Sequence, residues 1–318
     1  MSEANTGRQA PATGAGSGRH APATGADCGR RVLVTGAGSG LGRAIAARFA
    51  ADGCRVLLTD VNADAVAEAA AALGDPSRIA ALSLDVTDDD AWARARVWCE
   101  ENWGGLDILV NNAGVAAAGR VDAIPIEDWR WILETNLMSA VRGCRTFVPL
   151  LKAQGHGHVV NVASLAGLLT PPAMSSYNVT KAAVVALSET LRSELEPYGI
   201  RTTVVCPGFV RTNLASSVRS PDPAMVDLTH KLVNGSKLTP EQVADRVVVA
   251  VDRGRFLVLT ELVGRVAWLA KRYVPALVHR QTVAAARRLR ARIESGHVDG
   301  RHPDSDRTDG DVRAGAGR

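Results

Sequence analysis

The sequence predicts an α/β fold, a single domain built on a doubly wound parallel sheet of about seven strands with helices on both faces. From Arg31 onward, short β-branched runs alternate with longer alanine-rich stretches, the order that sets a parallel sheet between helical layers. Runs such as Val32-Leu-Val are continuously apolar, which suits strands covered on both faces. A glycine-rich turn separates the first such run from the first helical stretch.

The first strand, over 31–35, runs into Thr35-Gly-Ala-Gly-Ser-Gly-Leu-Gly, and a helix over 41–53 follows. Gly36, Gly40 and Gly42, with Ser39 and Leu41 between them, stand where a backbone must turn sharply and approach a pyrophosphate resting on the helix N-terminus. The N-terminal segment carries a decoy, Thr13-Gly-Ala-Gly-Ser-Gly. Only the copy at Thr35 follows a strand and opens a helix. The second strand, 55–59, closes on Asp60, 24 residues after Gly36, where a carboxylate can accept from both ribose hydroxyls and repel a 2′-phosphate. A turn or cap residue before Asn62 is the plain alternative. Ser39 and Val61 offer no cation to such a phosphate, so NAD is expected over NADP as the cofactor. A helix over 62–73 leads to the third strand, 79–84, ending at Asp85-Val86. After a helix over 88–103, the fourth strand, 108–111, ends at Asn111-Asn-Ala-Gly. Both ends lie at the carboxyl edge of the sheet, where ligands bind in open α/β folds.

A long helix over 127–153 carries Asn136, for which capping or bending the helix is the alternative to a place in the site. The fifth strand, 158–163, delivers Ser164, and the helix over 176–198 opens with Ser176-Tyr-Asn-Val-Thr-Lys. Tyr177 and Lys181 are i and i+4 on one helix face, so the ammonium can lower the phenol's pKa electrostatically. Ser164, thirteen residues before Tyr177, reaches the same point if it ends the preceding strand. The sixth strand, 201–206, stops before Pro207-Gly, with Val210 and Thr212 just beyond. A helix over 240–253 starts at Thr239-Pro-Glu-Gln, with Thr as N-cap, Pro at the first position and Gln three residues after the cap. A seventh strand over 256–259 closes the sheet.

These motifs, in this order over roughly residues 30 to 260, resemble the short-chain dehydrogenase/reductase family, whose fold is of the Rossmann type. The matching signatures are Thr35-Gly-x-x-x-Gly-x-Gly, Asp85-Val, Asn111-Asn-Ala-Gly, Asn136, Ser164, Tyr177-x-x-x-Lys181, and Pro207-Gly with Thr212. The resemblance implies hydride transfer between a nicotinamide and a secondary alcohol or ketone, coupled to a proton transfer. It implies Tyr177 as acid and base, Lys181 as the group that lowers the tyrosine pKa and holds the nicotinamide ribose, and Ser164 as the group that polarises the substrate oxygen. It implies that Asn136 anchors a water relay, that Asp85 and Val86 border the adenine, Asn112 the adjoining ribose, and Val210 and Thr212 the carboxamide. A dinucleotide-binding sensor or scaffold without turnover is the alternative class, and such proteins tend to lose the Asn136, Ser164, Tyr177, Lys181 set that stands here.

Of the 318 residues, 46% are hydrophobic and 22% charged, which suits a soluble globular chain. No run of 18 or more apolar residues occurs, and no signal-peptide layout opens the sequence, so a cytoplasmic placement is expected. Cys28, Cys54, Cys99, Cys144 and Cys206 are scattered, without a Cys-x-x-Cys pair, and read as reduced thiols. Gly155-His-Gly-His tempts a metal reading, but His156 and His158 have no acidic or cysteine partner nearby and read as exposed turn residues; no metal is expected. The net charge of +4 is uneven: between Glu261 and Ser295 stand eight Lys/Arg and two Glu, which leaves about −2 on the remainder. Basic residues are not interleaved with aromatics in the body of the chain, so no nucleic-acid partner is expected.

The organisation expected is an unstructured tail over 1–29, the dehydrogenase domain over 30–260, a basic amphipathic helical extension over 261–295 kinked at Pro275, and a second tail over 296–318. Leu165 to Met174, and Leu214, Val218, Met225, Val226, Leu228, Leu232 and Val233, are expected to line and cover the pocket, which favours a largely apolar substrate. For the extension, with Leu262, Val266, Leu269, Tyr273 and Leu277 at helical spacing, packing at a subunit interface or over the pocket ranks first. Peripheral contact with an anionic membrane ranks second and a solvated tail helix third. A homodimer or homotetramer is the expected assembly.

Overall fold

The structure, a computed structural model, describes residues 29–299. The expected tails fall largely outside them. Seven strands form one sheet: β1 (Arg31–Thr35), β2 (Arg55–Asp60), β3 (Ile79–Ser83), β4 (Ile108–Asn111), β5 (Gly157–Val162), β6 (Ile200–Cys206) and β7 (Leu257–Leu259). Their order is β3-β2-β1-β4-β5-β6-β7, and every pair is parallel. Val32 of β1 faces Val56 on one side and Ile108 on the other. The connection therefore reverses direction at β1, and a crevice opens at the carboxyl ends of β1 and β4.

The helices are α1 (Gly40–Ala51), α2 (Ala63–Leu73), α3 (Asp89–Trp103), α4 (Ile126–Leu133), α5 (Ser139–Gln154), α6 (Leu165–Leu169), α7 (Ser175–Leu195), α8 (Pro223–Asn234), α9 (Pro240–Asp252), α10 (Leu262–Tyr273) and α11 (Pro275–Asp299). Successive strand residues point to opposite faces, so Val32 and Val34 pack with Ile45 and Phe49 of α1 and Val247 of α9. Leu33 goes the other way, to Trp92 of α3 and Phe147 of α5. The Trp92 and Phe147 rings meet edge to face, 6.3 Å apart. Two-sided burial is what the continuous apolar strands demanded. At α9 the Thr239 and Gln242 side chains form the reciprocal cap that their spacing predicts.

Three segments differ from expectation. The helix expected over 127–153 is divided by a π-turn at Glu134–Met138. The widened turn carries Asn136 inward, where it is almost fully buried and brackets the Val115 backbone, accepting from its N–H at 2.7 Å and donating to its C=O at 3.0 Å. Helix α6 is a single short turn capped by Ser164, whose Oγ accepts from the Ala166 N–H. Helix α8 starts at an Asp222 cap followed by Pro223, a start signal that is present in the sequence.

Candidate active site

The β1–α1 turn is built from residues that only close backbone approach explains. Gly36 and Gly40 have positive φ, and a Cβ on Gly42 would stand 2.1 Å from the Gly36 carbonyl oxygen. Ser39 makes no side-chain cap and the first turn of α1 has no acid, while Ser39, Gly40, Leu41 and Gly42 line the cavity. The helix thus presents unneutralised N–H groups there, as an anion site requires. The turn is tied to β4 through Thr35, whose Oγ1 accepts from the N–H groups of Asn112 and Ala113 at 3.0 Å each. In return, Asn112 Nδ2 donates to the Thr35 carbonyl at 2.8 Å. Asp60 stands at the end of β2 on the cavity wall. Its carboxylate accepts from the Gly38 N–H and the Asn62 N–H, both at 3.0 Å, so it supports the turn as well as facing the cavity. Uncapped helix end, steric glycines and Asp60 together fit a dinucleotide.

On the far side of the crevice, β5 ends at Ser164, and α7 brings Tyr177 and Lys181 beside it. Ser164 stands close enough to the Tyr177 phenol to act on its proton, while its Oγ donates to the Pro207 carbonyl at 3.5 Å; both residues are buried. Lys181 Nζ donates to the Val162 carbonyl at 3.0 Å and lies 5.9 Å from the centre of the Tyr177 ring. Burial holds the phenol above its ordinary pKa, opposed by the nearby Ser164 hydroxyl, and burial pulls the ammonium down to about 8. The expectation that the lysine lowers the tyrosine's pKa therefore differs from what the protein alone displays: its ammonium is spent on a backbone carbonyl, and desolvation of the phenol dominates. Helix α7 is held in register by a buried relay. Asn111 Nδ2 donates to Asn161 Oδ1 at 2.9 Å, Asn161 Nδ2 to Ser188 Oγ at 3.0 Å, and Ser188 Oγ to the Val184 carbonyl at 2.7 Å. Asn161 and Ser188 carried no sequence motif, and only the fold brings them together.

Not every expected residue reaches the cavity. Gly36, Asp60, Asn112, Ser164, Tyr177 and Lys181 line it, as do Val210 and Thr212. Asn136 sits behind the wall, its Oδ1 the nearest obstacle to a Cβ at Gly114, at 2.9 Å, with Lys181 Nζ at 3.4 Å from the same point. Asp85 lies at the carboxyl edge of β3, its Oδ1 accepting from the N–H and hydroxyl of Thr87; the Val86 carbonyl accepts from Trp92 Nε1 at 3.1 Å. Neither Asp85 nor Val86 is part of the lining.

The histidine and cysteine expectations need correction. His156 is exposed, within 3.2 Å of Asp107. His158, however, is buried in β5 with Nε2 2.7 Å from Thr203 Oγ1, and burial together with Arg201 and Arg30 pushes its pKa down to about 3. Cys99, Cys144 and Cys206 are free and buried, but Cys54 is disulfide-bonded, and Cys28 lies outside the described residues. Among the described residues, no group of His, Cys, Asp and Glu is placed to hold a metal ion.

The cavity has a volume of about 760 Å³. Its apolar lining includes Leu165, Leu169, Pro171, Met174 and Phe209, and polar side chains of Asn213, Ser216 and Ser217 share the cavity. Of the cover residues expected after Thr212, Leu214 and Val233 line it; Thr229 does so as well, and sequence reasoning missed it. Helix α10 adds Val263, Gly264 and Ala267, and Glu261 precedes them. Gly264 is seated so closely that a Cβ there would stand 2.4 Å from Leu165. The signal for this contact was the small pair Gly264 and Ala267, one turn apart.

A model of short chain dehydrogenases matches residues 30–223. A "probable oxidoreductase EphD" of Mycobacterium tuberculosis is 36% identical over 227 residues, 68% of this chain; the chain spans only 38% of that relative's length. Among solved structures, a short chain dehydrogenase/reductase from Burkholderia phymatum in complex with NAD superposes with a TM-score of 0.74 at 32% identity, covering 78% of this chain and 95% of that one. A serine dehydrogenase complexed with NADP⁺ superposes with a TM-score of 0.65 at 30% identity, covering 72% and 93%. The relatives thus include NAD-bound and NADP-bound proteins.

Proposed function

Since the chain belongs to the short-chain dehydrogenase family, we propose that it is an NAD-preferring oxidoreductase that interconverts a largely apolar secondary alcohol and its ketone, with Tyr177 as acid and base. The observation that carries this reading is the convergence of buried Ser164, Tyr177 and Lys181 on one cavity with the uncapped glycine turn. Bound there, the dinucleotide would supply the hydride acceptor or donor. The glycine turn and the first turn of α1 would hold its pyrophosphate, and Asp60 would accept from its adenosine ribose. Asn112, Val210 and Thr212 would complete its contacts, with Asp85 and Val86 bounding the adenine end.

The remaining chemistry belongs to side chains. Ser164 and Tyr177 converge on the substrate oxygen, and the proton moves at the tyrosine Oη. With its pKa raised by burial, the resting phenol is the protonated form, poised to donate to a carbonyl oxygen. Working as a base requires the Lys181 charge close by, and Lys181 is already inside the same desolvated pocket. Asn136 positions the Val115 segment next to that lysine and anchors the proton path behind it. The apolar walls of Leu165, Leu169, Met174 and Phe209 support a substrate whose bulk is hydrocarbon. The same reading places the protein in the cytoplasm as a homodimer or homotetramer.

The test is to screen the purified protein with NAD against secondary alcohols of graded chain length, including sterols and long-chain diols, alongside Tyr177→Phe. Turnover in the parent with loss of at least about a hundredfold in kcat and retained dinucleotide binding in the variant is expected. A variant that kept more than a few per cent of kcat would remove Tyr177 from its role. Dinucleotide binding without turnover of any substrate would leave the sensor or scaffold reading.

A further inference from the structure

Helix α10 is seated the wrong way round for a helix that serves only its own domain. Its inward side is small: Gly264 presses on Leu165, Ala267 lines the cavity, and Lys271 Nζ donates to the Leu168 carbonyl at 2.6 Å and to Thr170 Oγ1 at 3.1 Å. Its outward side holds the large apolar residues. Leu262 is 75% exposed, Val266 57% and Tyr273 73%, and with Leu269 they recur at three- and four-residue spacing along one stripe. Val263 is 80% exposed yet lines the cavity, so the stripe continues onto the rim of the pocket. An amphipathic surface helix ordinarily turns its apolar stripe to the core. Here the stripe faces out.

Over 262–291 every Asp, Glu, Lys and Arg position is basic. Arg265 and Arg272 on α10, and Arg280, Arg287 and Arg288 on α11, are exposed, and none of these five is in an ion pair among the described residues. From 261 to 291 the only acid is Glu261, and it is turned to the cavity. An outward apolar stripe bordered by arginines matches a bilayer with anionic headgroups, where the apolar side chains enter the interfacial layer and the guanidinium groups meet phosphates. Pairing with a second copy through this face is disfavoured, because a two-fold contact sets the same cationic surface against itself.

We propose that α10 and α11 dock this protein on an anionic phospholipid surface, and that docking sets the Val263 rim of the cavity against the bilayer, so that an apolar substrate enters from the lipid. The delivery half rests on the alcohol or ketone reading given above. The docking half does not.

Flotation of the full chain with vesicles of phosphatidylcholine, with and without phosphatidylglycerol, tests the docking directly. The expected result is flotation with the anionic vesicles that weakens as salt rises. Val266→Asp with Tyr273→Asp, and separately Arg272→Glu with Arg280→Glu, should each lower the partition constant about tenfold or more while leaving the circular dichroism spectrum and thermal midpoint unchanged. Both pairs should also depress turnover of a vesicle-dissolved long-chain alcohol without changing that of a short water-soluble one. If no alcohol is turned over, the functional reading fails while flotation still reports on docking. Docking is overturned if the parent floats no better with phosphatidylglycerol than without it. It is equally overturned if the aspartate pair turns an oligomer into monomers in sedimentation while flotation is unaltered, since the stripe then joins copies of the chain.

Discussion

Lys181 holds its ammonium on the Val162 carbonyl inside the protein, and burial moves its pKa from 10.5 to about 8. The unfolded chain keeps that proton up to the ordinary value, so between those two pH values the unfolded state binds more protons and stability rises with pH. Below the window the full penalty of burying the charge is present. Measured without dinucleotide, the stability of the parent relative to Lys181→Met should therefore improve from about pH 7 to about pH 10, by up to about 3 kcal/mol. A difference independent of pH would mean that the ammonium is solvated. Tyr177 acts with the opposite sign and only higher up: its raised folded pKa makes stability fall once pH passes the phenol's ordinary value. Asp60 carries the cofactor prediction. NAD should be preferred by a factor on the order of ten to a thousand in kcat/KM, and Asp60→Asn with Val61→Arg should narrow or invert that ratio. Asparagine is the better replacement because the carboxylate also accepts from the Gly38 and Asn62 N–H groups. Equal use of both dinucleotides by the parent would end the argument. At this scale the spacing of Tyr177 and Lys181 was legible because helical period alone puts them together. The direction of the tyrosine shift was not, because it depends on how much of the pocket is closed to water.

The elements divide in the same way. Strand runs and glycine turns are local signals, and β1 through β7 fall where β-branched residues and breakers place them. The π-turn at Glu134–Met138 was invisible, since no composition marks it; what accompanies it is a pairing of Asn136 with the Val115 backbone, 21 residues earlier. The stripe on α10 was legible as a stripe, but sequence period fixes which residues share a face and not which way the face points. Gly264 and Ala267 decided that by allowing the opposite side closer to α6. Helix α7 depends on contacts of the same long-range kind, because the Asn111–Asn161–Ser188 relay joins it to β4 and β5. Asn161→Leu would remove the acceptor of the Asn111 amide and the donor to Ser188, whose hydroxyl keeps only its bond to the Val184 carbonyl, and it should lower unfolding stability by about 1–3 kcal/mol in urea titration. An unchanged midpoint would mean that water or a neighbour replaces the relay.

At the scale of the whole molecule, the sheet order places the crevice and the two halves of the candidate site around it. The glycine turn and Asp60 come from the β1–β2 side, Ser164 and Tyr177 from the β5 side, and Asn112, just past the end of β4, stands between. That order has a consequence for how the chain becomes a sheet. As the protein is synthesised, β1, β2 and β3 emerge first and can pair, but the other side of β1 finds its partner only at β4, with Val32 opposite Ile108. Through that interval the nascent chain carries a bare apolar strand edge, the kind of edge that recruits other chains. A ribosome that paused before β4 was complete would hold that edge open to other chains for as long as the pause lasted.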